Sequence, residues 1–558
     1  MVPPKAGDVQ VVSPDDVEVE HIKAEISDYD AVVQEARESS DAEVKMTLRE
    51  GFKKYPAAII WSAILSTAII MEGFDVVLLG SFLGYPEFVK AYGTLQPDGK
   101  YNISPAWQTG LQNGALCGEI IGLFINGIVS ERFGYRKTMI ASLSAMICFI
   151  FIPFFAKNLT TLVIGEVLQG IPWGIFQTLT TAYAAEVCPT ALRPILTSYV
   201  NACWVIGQLL ASGVLRGLLS RTDEWAYRIP FALQWIWPAP LIIACIWAPE
   251  SPWWLVRQGR TDDARKVMKR LTNSKEVTEA ETDGSVALMI HTDAFEKSVT
   301  AGTSYWDCFK GVDLRRTEIA CGAWIVQNWT GSAFMGYSTY FLQQAGFSVD
   351  RSFDLSIGQY AIGLTGTVGS WFLMRYLGRR TIYLGGMSIL FVLLMIIGFL
   401  GLVPHNQGAV WAVGSMLLVF TFIYDITIGP VCYCLVAEIG STRLRAKTVV
   451  LARNAYNIAG LINSLIMPRF LNVEALNAGA KTGWFWAGMC ALCILWCYFR
   501  VPEPKGRTPG ELDVLFSQKV SARKFSSTAA DQFGHHSSPT LEKAESKQET
   551  VEHVEYTA

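Results

Sequence analysis

The feature that most constrains this chain is a recurrence of apolar windows about 20 residues long, the length an α-helix needs to cross the hydrocarbon core of a bilayer. Twelve can be read along the 558 residues, at roughly 57–83, 108–130, 138–156, 160–183, 196–219, 229–248, 318–344, 354–376, 381–403, 409–437, 447–471 and 482–500. Hydrophobic residues make up 51% of the chain and charged residues only 17%, a balance that excludes an ordinary soluble protein. A span in lipid must satisfy its own backbone hydrogen bonds, which makes each window a helix. The expected fold is therefore an all-α polytopic membrane protein.

A polar connection, residues 251–317, divides the windows into two sets of six, over 56–250 and 318–501. Its "VRQGRTDDARKVMKRL" is rich in cations, which places it in the cytoplasm by the positive-inside tendency, and Thr261–Leu271 reads as a short surface helix. An even number of spans then puts both termini on the same side. The tails, 1–55 and 502–558, are polar and short of aromatics and read as disordered. No cleavable signal peptide is visible at the N-terminus. The loop 84–107 falls outside and carries a glycosylation sequon, Asn102-Ile103-Ser104, followed by Pro105. Most of the 12 cysteines lie within windows and none in that loop, which predicts free thiols. His535 and His536 lack companions at metal-ligand spacing, and no metal or other cofactor is expected.

The two sets of windows repeat one another. "ERFGYRK" (131–137) follows window two, and "RYLGRR" (375–380) follows window eight, each with cations around a glycine turn. Windows four and ten end in "AYAAEVCPTALR" and "CYCLVAEIGSTRLR", where Glu186 and Glu438 each precede an arginine, Arg193 or Arg445, by seven residues. Duplicated halves with a site at their interface are a recurring transporter design.

Charges inside the windows are expensive, roughly 2.5–3.5 kcal/mol each on insertion scales, so each needs a partner, a proton or a function. They are Glu72 and Asp75 in window one, Glu119 in two, Glu166 in four, Asp425 in ten and Arg453 in eleven. Glu72 and Asp75 lie about 60° apart around a helix and so share a face. Two carboxyls so close in low dielectric should not both stay ionised. An acid that gains and loses a proton as its access to water alternates is what proton coupling requires.

These strings resemble the sugar-porter family of the major facilitator superfamily over about residues 57–515. "PESPWWLVRQGR" (249–260) and "PEPKGRTPGELD" (502–513) are similar to that family's most specific signatures, the second with Pro504 where Thr is usual. "ERFGYRK" has Glu131 where Asp is usual. Within the family, "MEGFDVVLLG", "GEVLQGIPWG" and "QNWTGSAFMGYSTYF" look most like the fungal maltose and general α-glucoside permeases. The resemblance implies a twelve-helix bundle in 6+6 pseudo-symmetric halves that takes up α-linked disaccharides across the plasma membrane with a proton. The implied partners are sugar, protons and the bilayer, with no nucleic acid and a monomeric chain.

The resemblance also implies roles. Asp75 falls at the acidic position of the family's proton site. The arginine that usually accompanies it in helix four is replaced by Glu166, which makes Arg453 the expected substitute and Glu119–Arg453 the expected ion pair. Gln327 and Asn328 begin the sugar-contacting stretch of helix seven, which continues to Tyr337, while Ala333 stands where the family has Asn. Asn201 stands where helix five usually has Gln, and Tyr433 where helix ten has a cavity Trp. Asn454 and Asn457 match the paired asparagines and tryptophan motif of helix eleven. A cytoplasmic salt-bridge network would unite Glu131, Arg132 and Arg136 with Glu186 and Arg193 in one half. Arg375, Arg379 and Arg380 would join Glu438 and Arg445 in the other.

Other readings are a hexose or other disaccharide carrier, coupled or facilitative, and a non-transporting sugar sensor on the same scaffold. The acid at 75 argues against a facilitator, and the short C-terminal extension against a sensor. No nucleophile–base arrangement or cofactor loop suggests an enzyme.

Overall fold

A computed structural model describes residues 46–525 and 528, apart from 97–98, 190, 301–303, 404–405, 442–443, 473, 506 and 508, with isolated positions between 34 and 42. The expected disorder of the outermost tails, and His535 and His536, lie outside the described residues.

Twelve helical stretches coincide with the twelve windows. In the first half they are α1 (Pro56–Phe82), α2 (Pro105–Phe133), α3 (Tyr135–Phe155), α4 (Leu159–Val187), α5 (Arg193–Leu218) and α6 (Trp225–Trp247). In the second half they are α7 (residues 311–344), α8 (Val349–Tyr376), α9 (Arg379–Leu400), α10 (Gln407–Ile439), α11 (Arg445–Leu471) and α12 (Thr482–Arg500). Among the described residues nine helices are long and apolar enough to cross a membrane. The other three are α7, α8 and α11. They carry more polar groups, as do helices that line an interior rather than face lipid.

α7 is not one helix. It runs as Gly311–Gln327, opens into a π turn over Asn328–Ser332 with Gly331 at φ 95°, and resumes as Ala333–Gly336 and Ser338–Gln344. Only a residue without Cβ takes that backbone without strain. α10 breaks similarly at Thr427, between Gln407–Ile426 and Ile428–Ile439.

α2 and α4 touch backbone to backbone. A Cβ placed on Gly118 would meet the Val167 carbonyl oxygen at 2.1 Å, and one on Gly174 the Glu119 carbonyl oxygen at 2.2 Å. Small residues at such contacts let membrane helices approach closely where no hydrophobic drive brings them together.

Both tails are ordered further than their composition predicts. Thr47 and Glu50 form a capping box that starts the helix Leu48–Lys54, and Lys54 pairs with Glu281 at 2.7 Å. After α12 the chain forms a helix, Pro509–Ser517, and a turn, Ala522–Lys524, that dock under the second half. Leu512, Leu515, Phe516 and Phe525 are buried there, with the guanidinium of Arg316 4.4 Å above the Phe516 ring. These apolar residues are spaced for one short helix, which the polar average of the tail conceals. The central connection holds the helix Thr261–Leu271 and a longer one, Glu279–Thr300, that the sequence pattern did not indicate.

The two signature glutamates do the same work in each half. Glu250 accepts the Tyr135 backbone N–H at 2.9 Å, and Glu503 accepts that of Arg379 at 2.8 Å, so each caps the helix that follows a basic turn. Burial pushes the Glu250 carboxyl up, against the pull of these backbone donors.

Candidate functional site

The halves meet at the end of the molecule that carries loop 84–107. That loop forms a hairpin, Thr94–Leu95 with Tyr101–Asn102, which reaches across to the turn after α11. Asn102 Nδ2 donates to Glu474 Oε1 at 2.9 Å and to Asn472 Oδ1 at 3.1 Å, and Asn472 Nδ2 donates to the Ile103 carbonyl at 3.1 Å. Gln343 of α7 donates to the Gly84 carbonyl at 2.9 Å, and the Ser81 and Thr339 hydroxyls are 3.2 Å apart. Arg216 of α5 meets Asp354 of α8 at 2.7 Å. In this conformer the nitrogen of the sequon asparagine is occupied by the closure.

At the opposite, basic end the halves part. A cavity of about 790 Å³ lies between them and reaches Tyr135, Arg193, Arg379, Glu438 and Arg507 at that end. This is within the range of roughly 300–1,000 Å³ usual for small-molecule sites. Of the expected charge network, the described residues form one ion pair, Arg379 with Glu438, and Glu186 takes a partner that was not expected. Glu186 binds Arg257 at 2.8 Å and accepts from the hydroxyls of Tyr135 and Ser251. Arg379 binds Glu438 at 2.9 Å. Arg193 donates to the Cys188 carbonyl at the end of α4, and Arg380 to the Tyr498 carbonyl. Glu131 offers its backbone carbonyl to Trp254, and Arg375 its own to Lys505. Arg132 lies over Phe133, and the backbone of Arg136 binds Glu250. The Arg445 side chain lies outside the described residues.

Of the residues expected to meet sugar, Gln327, Asn201 and Tyr433 line the cavity. Gln327 Nε2 donates to the Gly429 carbonyl at 2.7 Å, one of the carbonyls freed where α10 breaks. Asn201 reaches Thr367 across the halves at 3.5 Å. Asn328, Tyr337, Asn454 and Asn457 are not on the cavity wall. Asn328 instead ties α7 to α11, donating to the Tyr456 carbonyl at 2.9 Å while its own carbonyl accepts from Asn463. Asn454 bonds back to Val450 of its own helix. Asn457 is fully buried, and neither end of its amide has a partner. Tyr337 is buried with its hydroxyl unpaired.

The acids are arranged differently from the expectation that Glu72 and Asp75 form the close pair. Glu72 turns to Gln177 of α4, whose amide it accepts. Asp75 turns the other way, accepting from Gln234 Nε2 at 2.5 Å, with the carboxyl of Glu166 close by. A difference of three residues leaves enough angle for each to find a separate helix neighbour. Among the described residues nothing donates to either Glu166 oxygen. All four acids, Glu119 included, are buried.

Arg453 does not pair with Glu119. Its guanidinium lies 4.3 Å from the Tyr456 ring and 4.7 Å from the Trp324 ring, on the cavity wall, with Nε unpartnered. Glu72 and Glu119 are close enough to feel its charge without touching it. Aromatic faces hold a guanidinium where carboxylates are out of reach. Asp425, noticed as an intramembrane charge but given no role, also lines the cavity, packed against Gly363 and Gly366 of α8. The first-half wall adds Asn126, Gln177, Thr178 and Thr181, which the sequence reading missed. The run "FQTLTTAY" in an apolar helix was the available signal, since lipid-facing positions do not hold four polar groups in five residues.

Two six-helix halves around a cavity that opens at one end, its apolar wall interrupted by polar side chains, define a multi-pass membrane transporter. The chain belongs to the sugar (and other) transporter family, whose model matches residues 61–516. It is 44% identical over 507 residues to a general alpha-glucoside permease of Saccharomyces cerevisiae, covering 90% of this chain and 82% of that one. To a maltose permease of the same yeast it is 43% identical over 510 residues, covering 90% and 83%. Among solved structures it matches a partially occluded, inward-open form of the Escherichia coli xylose transporter. The TM-score is 0.66 at 21% identity, over 81% of this chain and all of that one. A proton:xylose symporter of the major facilitator superfamily matches with a TM-score of 0.67 at 22% identity, over 83% and 100%. These likenesses establish the major facilitator fold.

Proposed function

We propose that this chain is a proton-coupled importer of α-glucosides of the maltose type, working by alternating access in the plasma membrane. In this reading the cations of residues 251–317 put that connection and both tails inside and the hairpin outside, so the conformer described is closed outward and open inward. The bundles comprise residues 56–250 and 318–501, and the carrier works as a monomer. The kinship with α-glucoside and maltose permeases supports the substrate class.

The observation that carries the coupling is that Asp75 and Glu166 are buried near one another and away from cations. Two carboxyls so close in low dielectric do not both stay ionised, so one proton stays with the pair. Opening the pair to water on one side and then the other moves that proton with the sugar. Gln234 fixes one Asp75 oxygen, and Glu72 and Glu119 lie near Arg453, where its charge can compensate theirs. The pairs at the basic end act as a gate whose arrangement differs between states, and only that difference biases the equilibrium.

The test is uptake of labelled maltose and glucose into yeast lacking its own sugar carriers, with and without a protonophore. Maltose accumulation that collapses with the protonophore is expected. Glucose entry indifferent to it, with no maltose entry, would overturn both substrate class and coupling.

A further inference from the structure

Two tryptophans stand on the cavity wall among the described residues, Trp204 of α5 and Trp324 of α7. They differ in what remains open. Trp324 is buried: Tyr433 and Tyr456 pack edge-on against its ring at 4.8 and 5.2 Å, Arg453 lies over it, and its indole N–H is enclosed. Trp204 is only half-buried, and among the described residues no second aromatic ring and no cation covers its indole. It lies midway along α5, between Arg193 at the cavity mouth and Arg216 at the closed end. That depth sets it apart from the belts in which tryptophan anchors a span at the membrane surface.

The sequence of α5 places it. Thr197, Val200, Asn201 and Trp204 recur at the three- and four-residue spacing of one helical face, and that face is cavity wall. The backbone beneath the ring is fixed. A Cβ on Gly73 of α1 would meet the Trp204 carbonyl oxygen at 2.0 Å, and one on Gly207 the Ile70 carbonyl oxygen at 2.1 Å, so α1 and α5 touch directly at this level. A surface held in this way loses little freedom when a ligand settles on it. Packing does not explain a half-open indole here, because an apolar filler would be covered and a lipid-facing one would not line the cavity.

Across the cavity, Tyr433 and Tyr456, each half-buried, and the guanidinium of Arg453 give the second half a wall with hydrogen-bonding groups. A ligand between the halves therefore meets a flat apolar surface on one side and polar groups on the other. A pyranose has that division, with C–H bonds over its faces and hydroxyls around its rim. Resting on the sugar-uptake reading, we propose that the indole of Trp204 is the platform on which a glucopyranose ring of the α-glucoside lies, its hydroxyls turned to the second half. Trp204 is thereby a specificity-determining residue that sets affinity for the sugar and takes no part in moving the proton.

The full-length chain, its surface amount followed by a fluorescent tag, is assayed in yeast lacking its own sugar carriers for initial uptake of labelled maltose and for sugar-dependent alkalinisation. In Trp204→Leu the maltose KM is expected to rise roughly threefold to tenfold, the effect of about one aromatic face, with the protons moved per sugar retained. Trp204→Phe and Trp204→Tyr should keep the KM near the wild-type value. Trp204→Met, flexible and apolar but without a ring, should match Trp204→Leu, and it keeps the test decisive if Trp204→Leu fails to reach the surface. An unchanged KM in the ringless variants, with or without a loss of maximal rate, overturns the platform. An equal rise in Trp204→Phe and Trp204→Tyr overturns it too, since packing around the indole would then be at fault. Glu72 lies near the indole, so loss of alkalinisation with an unchanged maltose KM would assign Trp204 to that acid instead and overturn the platform. A wild type that takes up no maltose overturns the sugar-uptake reading and the platform with it. Protonophore-insensitive maltose uptake with the expected KM pattern would overturn the coupling alone and leave the platform in place.

Discussion

Asp75 has two carboxyl neighbours in sequence and space, and the structure distinguishes their roles. Glu72 is held by an amide, whereas Glu166 lies near Asp75 with no donor of its own. Asp75→Asn removes the proton-sharing member while keeping the shape and an acceptor for Gln234. The expected outcome is loss of uphill accumulation, with exchange of labelled sugar across the membrane retained. The measurement is sugar-dependent alkalinisation of the medium beside counterflow, and normal alkalinisation in the variant would exclude Asp75 as the carrier. The positions of these acids were legible in sequence because an acid in an apolar window announces itself. Their partners were not, because a separation of three residues fixes the angle between Glu72 and Asp75 but not which helix each one meets. The same limit applied to Arg453. Its depth was readable, but the Trp324 and Tyr456 rings that hold it come from two helices whose rotation the sequence does not specify.

Among the elements, α7 departs most from its pattern. A window of adequate length reads as one helix, yet Gly331 opens it, and the piece beyond bends towards α1, where Gly336 and Gly80 are in backbone contact. Two glycines five residues apart, inside a run with "QNWTGS", were the only trace of the break. Gly331→Ala forces φ 95° on a residue with a Cβ, a strain of about 1–2 kcal/mol, and brings that Cβ to 3.0 Å from Leu394. Cavity residues are untouched, so the expected effect is a several-fold lower maximal rate with the sugar KM little changed. Initial-rate kinetics normalised to surface protein test this, and a wild-type rate would mean that the bend is not used in transport. The docked C-terminal helix was hidden for a different reason. Leu512, Leu515 and Phe516 are a short amphipathic set whose partners, the N-terminal end of α7 and its arginines, lie about 200 residues upstream.

At the scale of the whole molecule, the repeat and the apolar windows made the two halves readable. Which end is closed was not readable, because it depends on contacts between residues hundreds of positions apart. The closure is concentrated at the hairpin end, and Asn472 is its buried hub. It accepts from Asn102, donates to Ile103, and caps the turn by accepting the Glu474 backbone N–H at 2.8 Å. These bonds to the hairpin exist only while the halves touch, so their loss acts on the balance between states rather than on either half alone. Asn472→Ala should cost the closed form about 1–2 kcal/mol. That is a shift of roughly fivefold to thirtyfold towards the form open on the hairpin side. The binding-competent fraction facing outward then grows, so the apparent KM for external maltose falls. The return step slows because the closed form it must reach has lost stability, and the maximal rate falls with it. Both parameters therefore move down together, which neither a damaged cavity nor a folding defect produces. Uptake kinetics over a range of external maltose, normalised to surface protein, measure them, and a raised KM would show that Asn472 supports the site rather than the closure.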